Sequence, residues 1–138
     1  MIQHKRPQLL VLWVIWASLF TGIIVYQLVL GRGIPAGENA PASGMNFAVV
    51  LAIGQIAAAS LVRWLFIPRA KNPGQLLVFM IVGLALSEAV EFYGLFLVSA
   101  DQPSTKLTLW VLSLLSALQF IPTYAKAEGS PSDQFRTG

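Results

Sequence analysis

Two carboxylic acids, Glu88 and Glu91, stand inside the run LALSEAVEFYGLFLV, residues 84–98, where every neighbour but a serine and a tyrosine is apolar or glycine. An acid surrounded by hydrocarbon is expensive to ionise, so burial favours its neutral form. A group held that way can load a proton and release it. On a helix the spacing of three places both acids near one face, about 4.5 Å apart along the axis. Two neighbouring carboxyls oppose each other's ionisation and titrate as a coupled pair. A second polar group stands in VVLAIGQIAAASLV, residues 49–62, where the amide of Gln55 needs a partner. A bland alternative accompanies each of these residues. The acids can be fixed interhelical contacts satisfied by Arg63 or Tyr93, and Gln55 can be an ordinary packed amide.

These groups need elements to hold them, and the composition says which kind. Of the 138 residues 56% are hydrophobic and only 11% charged, and the mean hydropathy is +0.69, well outside the range of a soluble domain. A membrane-spanning helix takes about 20 mainly apolar residues. Four stretches approach that length, 9–30, 45–67, 76–100 and 107–124, which predicts an all-α, integral membrane four-helix bundle in a single transmembrane domain, with a polar tail over 125–138. The first stretch is too long for the apolar part of a cleaved secretory signal and reads as a retained helix. Glu88 stands midway along the third stretch, close to the bilayer midplane, where an acid costs roughly 2.5–3.5 kcal/mol and usually faces a bundle interior or a wet cavity.

With four spans, the N-terminus, the loop between the second and third helices and the C-terminus share one side. That side carries Lys5, Arg6, Arg63, Arg69, Lys71, Lys126 and Arg136, against Arg32 and Lys106 on the other. The positive-inside rule puts both termini in the cytoplasm, which for a bacterial chain means the inner membrane. The basic residues are a topology signal, so nucleic acid is not an expected partner. The expected partners are the lipid bilayer and either other membrane subunits or further copies of the chain. Antiparallel folding at FIPRAKNPG brings Gln55 and Glu88 to matching depth, and the small residues Ala52, Gly54 and Ala58 let another helix come close.

Other chemistry lacks its residues. There is no cysteine, hence no disulfide and no thiolate ligand. The lone histidine, His4, adjoins Lys5 and Arg6 and reads as a solvated surface group. No acid and histidine cluster has metal-ligand spacing, and no phosphate loop or nucleophile with a base points to an enzyme or a bound cofactor. Trp13, Trp16, Trp64 and Trp110 lie toward span ends and read as interfacial anchors. Gln27, Ser113 and Ser116 read as satisfied by helix backbone or neighbours.

The stretch EAVEFYGL at 88–95, GQIAAA at 54–59 and the basic loop PRAKNP between them together resemble the helical hairpin of subunit c, the ring-forming proteolipid of rotary ATP synthases, in which E-A-x-x-I-Y-G-L, G-Q-G-x-A-A and R-Q-P occupy the same order. The resemblance covers about residues 45–100. It implies that Glu88 is the ion-carrying carboxylate, Tyr93 its hydroxyl-bearing neighbour and Gln55 the facing amide. Sodium-binding members carry Ser or Thr after the Glu; Ala89 stands there in this chain, so the implied ion is the proton. This chain differs by Ile56 at a usual glycine, by the added acid Glu91, and by one extra helix on each side of the hairpin. The leading expectation is a c-like proton-binding component of an ion-translocating membrane complex. The alternatives are an accessory or assembly subunit whose Glu and Gln are structural, and a compact proton-coupled exporter.

Overall fold

The computed structural model describes residues 3–4, 6–41 and 46–127. Lys5, Met45 at the expected start of the second span, and the tail beyond 127 with Arg136 lie outside the described residues. Four helices are long and apolar enough to cross a membrane: α1 (Arg6–Val29), α2 (Phe47–Arg69), α3 (Pro73–Leu97) and α4 (Pro103–Tyr124). The fold is all-α. Among the described residues the one exception is a parallel pairing of two-residue strands, β1 (Gln3–His4) with β2 (Lys126–Ala127), which joins the two ends of the described chain on one side of the bundle.

Local chemistry sets the helix boundaries, and it moves two of them from the sequence expectation. α3 starts at Pro73 rather than 76, because Asn72 caps it. The Asn72 Oδ1 accepts from the Gln75 N–H at 2.8 Å, and the Gln75 Oε1 accepts from the N–H of Lys71, the residue before the cap, at 2.8 Å, a variant of the capping box displaced by one residue. Pro73 then occupies the first turn, where its missing N–H costs nothing. α4 starts at Pro103 instead of 107 for a similar reason, with the cap supplied from a distance. Asn39, in the loop between α1 and α2, accepts from the Ser104 N–H at 2.9 Å and donates to the Thr105 Oγ1 at 2.8 Å. Near the other end of α2 the helix widens, with the Ile67 N–H reaching the Val62 carbonyl, and then tightens over Ile67–Arg69 before the chain turns.

α3 is the central element. It packs against α1, α2 and α4, while α1 and α2 each also pack against α4. The burial follows: 39% of the apolar window of α3 is buried inside the bundle, against 11% for α1. One apolar cluster, with Leu12, Ile23, Ala59, Ile67, Met80, Leu84, Ala117 and Phe120, joins all four helices. A second, with Ala48, Ala52, Val90, Val98 and Leu109, joins α2, α3 and α4 toward the end away from the termini. Without a hydrophobic force between helices in lipid, close contact and hydrogen bonds must hold such a seam. The α3–α4 seam has both. Phe120, wholly buried, lies where a Cβ on Gly83 would stand. Ser113 Oγ donates to the Ser87 carbonyl at 2.8 Å, and the Ser87 and Ser116 hydroxyls are 2.7 Å apart.

Candidate functional site in the membrane

The central place of α3 decides where its polar side chains go. Successive helical residues turn by about 100°, so Tyr93, five residues after Glu88, points about 140° away from it. The two therefore meet different neighbours. Glu88 is half-buried and faces α1, with its Oε1 3.8 Å from the position a Cβ would take on Gly22. Tyr93 faces α2, where its hydroxyl accepts a hydrogen bond from the Gln55 amide at 2.8 Å. The expected pairing of Gln55 with Glu88 is thus replaced by a Gln55–Tyr93 bond, although the two helices are antiparallel as anticipated.

Glu91 is the most enclosed polar group of the set, 1% exposed. It lies against the backbone of Gln27 in α1, yet neither carboxyl oxygen has a hydrogen-bond partner of ordinary geometry among the described residues. Gln27 is itself buried and spends its side chain on the chain's exit from α1, donating to the Gly33 carbonyl at 2.8 Å. Arg63 does not neutralise either acid. Its Nε donates to the Gln119 carbonyl at 2.6 Å, and its guanidinium carbon stands 4.6 Å from the ring centres of both Trp64 and Tyr124. A cation at the carbonyl end of α4 is well placed for the helix dipole, and this leaves the acids to themselves.

The depth of the acids also shifts. The centre of α3 over Pro73–Leu97 falls at residue 85, so Glu88 stands about 4.5 Å and Glu91 about 9 Å beyond it, toward the end away from the termini. Of the small residues expected at close helix contacts, Ala52 is fully buried in the α2–α3–α4 cluster and Ala58 is half-buried beside the buried Ala59. Gly54 is different: a Cβ there would meet nothing within 4 Å, so its close-approach surface points out of the bundle.

Gln27 is satisfied by a neighbouring carbonyl, as its sequence position suggests. Trp110 differs from a simple interfacial anchor, because its indole Nε1 is buried and unpartnered among the described residues, and only the packing of α4 onto the bundle brings it inward. Among the described residues no cluster of His, Asp and Glu is arranged to hold a metal ion. Fold and site together define a small all-helical membrane protein with one enclosed acid, Glu91, and one half-buried acid, Glu88, on the side of α3 that meets α1. No family model, curated protein or solved structure matches the chain.

Proposed function

We propose that this chain is a proton-binding membrane protein, a subunit of an ion-translocating complex, in which Glu88 and Glu91 together hold one exchangeable proton. The observation that carries the reading is Glu91, enclosed at 1% exposure against the Gln27 backbone, with neither oxygen holding a hydrogen-bond partner of ordinary geometry among the described residues. A charged carboxylate is not kept in such a place without donors, because an isolated ionised group in an apolar interior takes up a proton instead. The second acid, one helical turn back on a face that also meets α1, makes simultaneous ionisation of both unfavourable. Proton loading is then a one-proton event belonging to the pair. Glu91, nearer the end away from the termini, is the point of exchange with that side, and Glu88 is the inner site.

The enclosure modifies what the resemblance to subunit c implies. Glu88 faces Gly22 of its own chain, so α1 covers one side of the half-buried carboxyl within a single copy. The proton moves along the α1–α3 seam, and Gln55 and Tyr93 serve as a fixed contact between α2 and α3. That same contact, with the serine seam, is what an accessory subunit would also need, and one experiment separates the two readings. A hydrophobic carbodiimide adds to protonated carboxylic acids that sit in apolar surroundings. Membranes containing the full chain, treated with dicyclohexylcarbodiimide at neutral pH, are expected to yield a single adduct mapped by peptide mass spectrometry to Glu88 or Glu91, lost in the E88Q/E91Q chain. The exposed Glu38 and Asp101 stay unlabelled. No adduct on either membrane acid, or equal labelling of Glu38 and Asp101, would leave the accessory reading in its place.

A further inference from the structure

Three buried side-chain atoms have no hydrogen-bond partner among the described residues: both carboxyl oxygens of Glu91 and the indole Nε1 of Trp110. Two are acceptors when Glu91 is ionised, and the third is a donor that cannot accept. Their positions in the bundle correspond. α3 and α4 run antiparallel, with Gly94 against Lys106 and Leu109, and Ser87 against Ser113 and Ser116. At equal rise per residue, the level of Glu91 on α3 then falls at residues 110–111 of α4.

Their directions correspond as well. Ser87 faces α4 and Glu88 faces α1; Glu91 is turned about 40° from Ser87 toward Glu88, so it projects into the wedge where α1, α3 and α4 meet. Trp110 packs on the cluster in which Leu12, Met80, Leu84 and Phe120 of α1, α3 and α4 meet Ala59 and Ile67 of α2, whereas Leu109 and Leu112 belong to the other cluster, with Ala48 and Ala52 of α2. The remaining titratable groups around the wedge are few. Glu88 shares α3, Tyr26 on α1 lies against Phe92 with the rings tilted at 42°, Tyr93 is engaged by Gln55, and Lys106 lies a turn away on α4. Among these no cation is seated on Glu91.

We propose that the indole N–H of Trp110 is the donor that receives the Glu91 carboxylate once its proton has left, which makes Trp110 a positioning residue of the proton site. The inference rests on the proton-binding reading of Glu91. In the structure the two groups are not hydrogen-bonded to each other, the arrangement of the protonated state; on ionisation a side-chain rotation closes the N–H···O contact. The proton leaves toward the end away from the termini, and no other bond is made or broken. A hydrogen bond to a charged acceptor is stronger than one between neutral groups, so the contact favours release.

The test is an infrared titration of the full chain in lipid nanodiscs, following the carboxylic-acid C=O band that Glu91→Gln removes. Trp110→Phe keeps the aromatic packing and deletes only the N–H end. The expected result is a band whose midpoint moves to higher pH in W110F, corresponding to proton binding about tenfold tighter or more. An E91Q-sensitive band with an unchanged midpoint in W110F overturns the role of Trp110 and leaves the proton site standing. Absence of any E91Q-sensitive band removes the proton site and this inference together. Should W110F fail to fold, the assigned Trp110 indole N–H resonance of the unmutated chain decides: a downfield shift following the band's titration supports the contact, and a resonance constant through it overturns the contact.

Discussion

Replacing Glu91 with leucine is expected to make the folded protein more stable, by about 1–3 kcal/mol, while abolishing its proton site. The magnitude is that of a buried polar group left without a partner, and Glu91 is such a group, with neither oxygen bonded among the described residues. Leucine occupies a similar volume and is welcome in an apolar interior, so nothing favourable is lost in exchange. Denaturant-driven unfolding in mixed micelles, followed by circular dichroism, reads the change directly. The sign is what matters. A structural acid, bonded to a neighbouring helix, would make the same substitution destabilising by a comparable amount, because it would strand the donor left behind. A gain in stability accompanied by loss of carbodiimide labelling identifies a position where stability has been given up for function.

The second large effect concerns the seam that holds α3 in its central place. Gly83→Ala is expected to destabilise the bundle by about 2 kcal/mol or more. Alanine favours a helix over glycine by about 1 kcal/mol, but here the new methyl would fall within the ring of Phe120. The ring is wholly buried, so either the helices part, at the roughly 1–3 kcal/mol typical of overpacking, or the ring leaves, at the roughly 3–5 kcal/mol typical of losing a buried phenylalanine. Gly54→Ala is the control, since the added methyl meets open space and its effect should stay within about 0.5 kcal/mol. The double substitution G83A/F120L should recover part of the loss, and a thermodynamic cycle over the four chains measures the coupling. Additive effects would mean that Phe120 is not what Gly83 makes room for.

The number of helices and their membrane character could be read from the sequence because they depend on composition over long windows, where single residues hardly matter. The helix starts could not be read as well. Asn72 and Pro73 mark one in the usual way, yet the apolar run begins only at Leu76 and drew the boundary with it. At α4 the cap is Asn39, more than sixty residues away in the chain, and no local pattern announces that. The acids were visible at once, since any charge in an apolar run is conspicuous. Their surroundings were not, because a hairpin considered alone has Glu88 facing α2. Once α1 also packs on α3, the faces are divided: residues 88 and 92 go to α1, residue 93 to α2, and residues 83, 87 and 94 to α4. The enclosure of Glu91 and the unpartnered nitrogen of Trp110 likewise arise from packing between helices, which no single span displays.

The most direct test of the proton pair is infrared difference spectroscopy of the full chain in nanodiscs at neutral pH, comparing the unmutated protein with E88Q and with E91Q before and after transfer to deuterated water. The account predicts a protonated carboxyl band present in the unmutated chain, altered by either substitution because the acids share one proton, and shifted by deuterium within the time of the exchange. A spectrum with no such band, or one whose band ignores both substitutions, would contradict a proton held between Glu88 and Glu91.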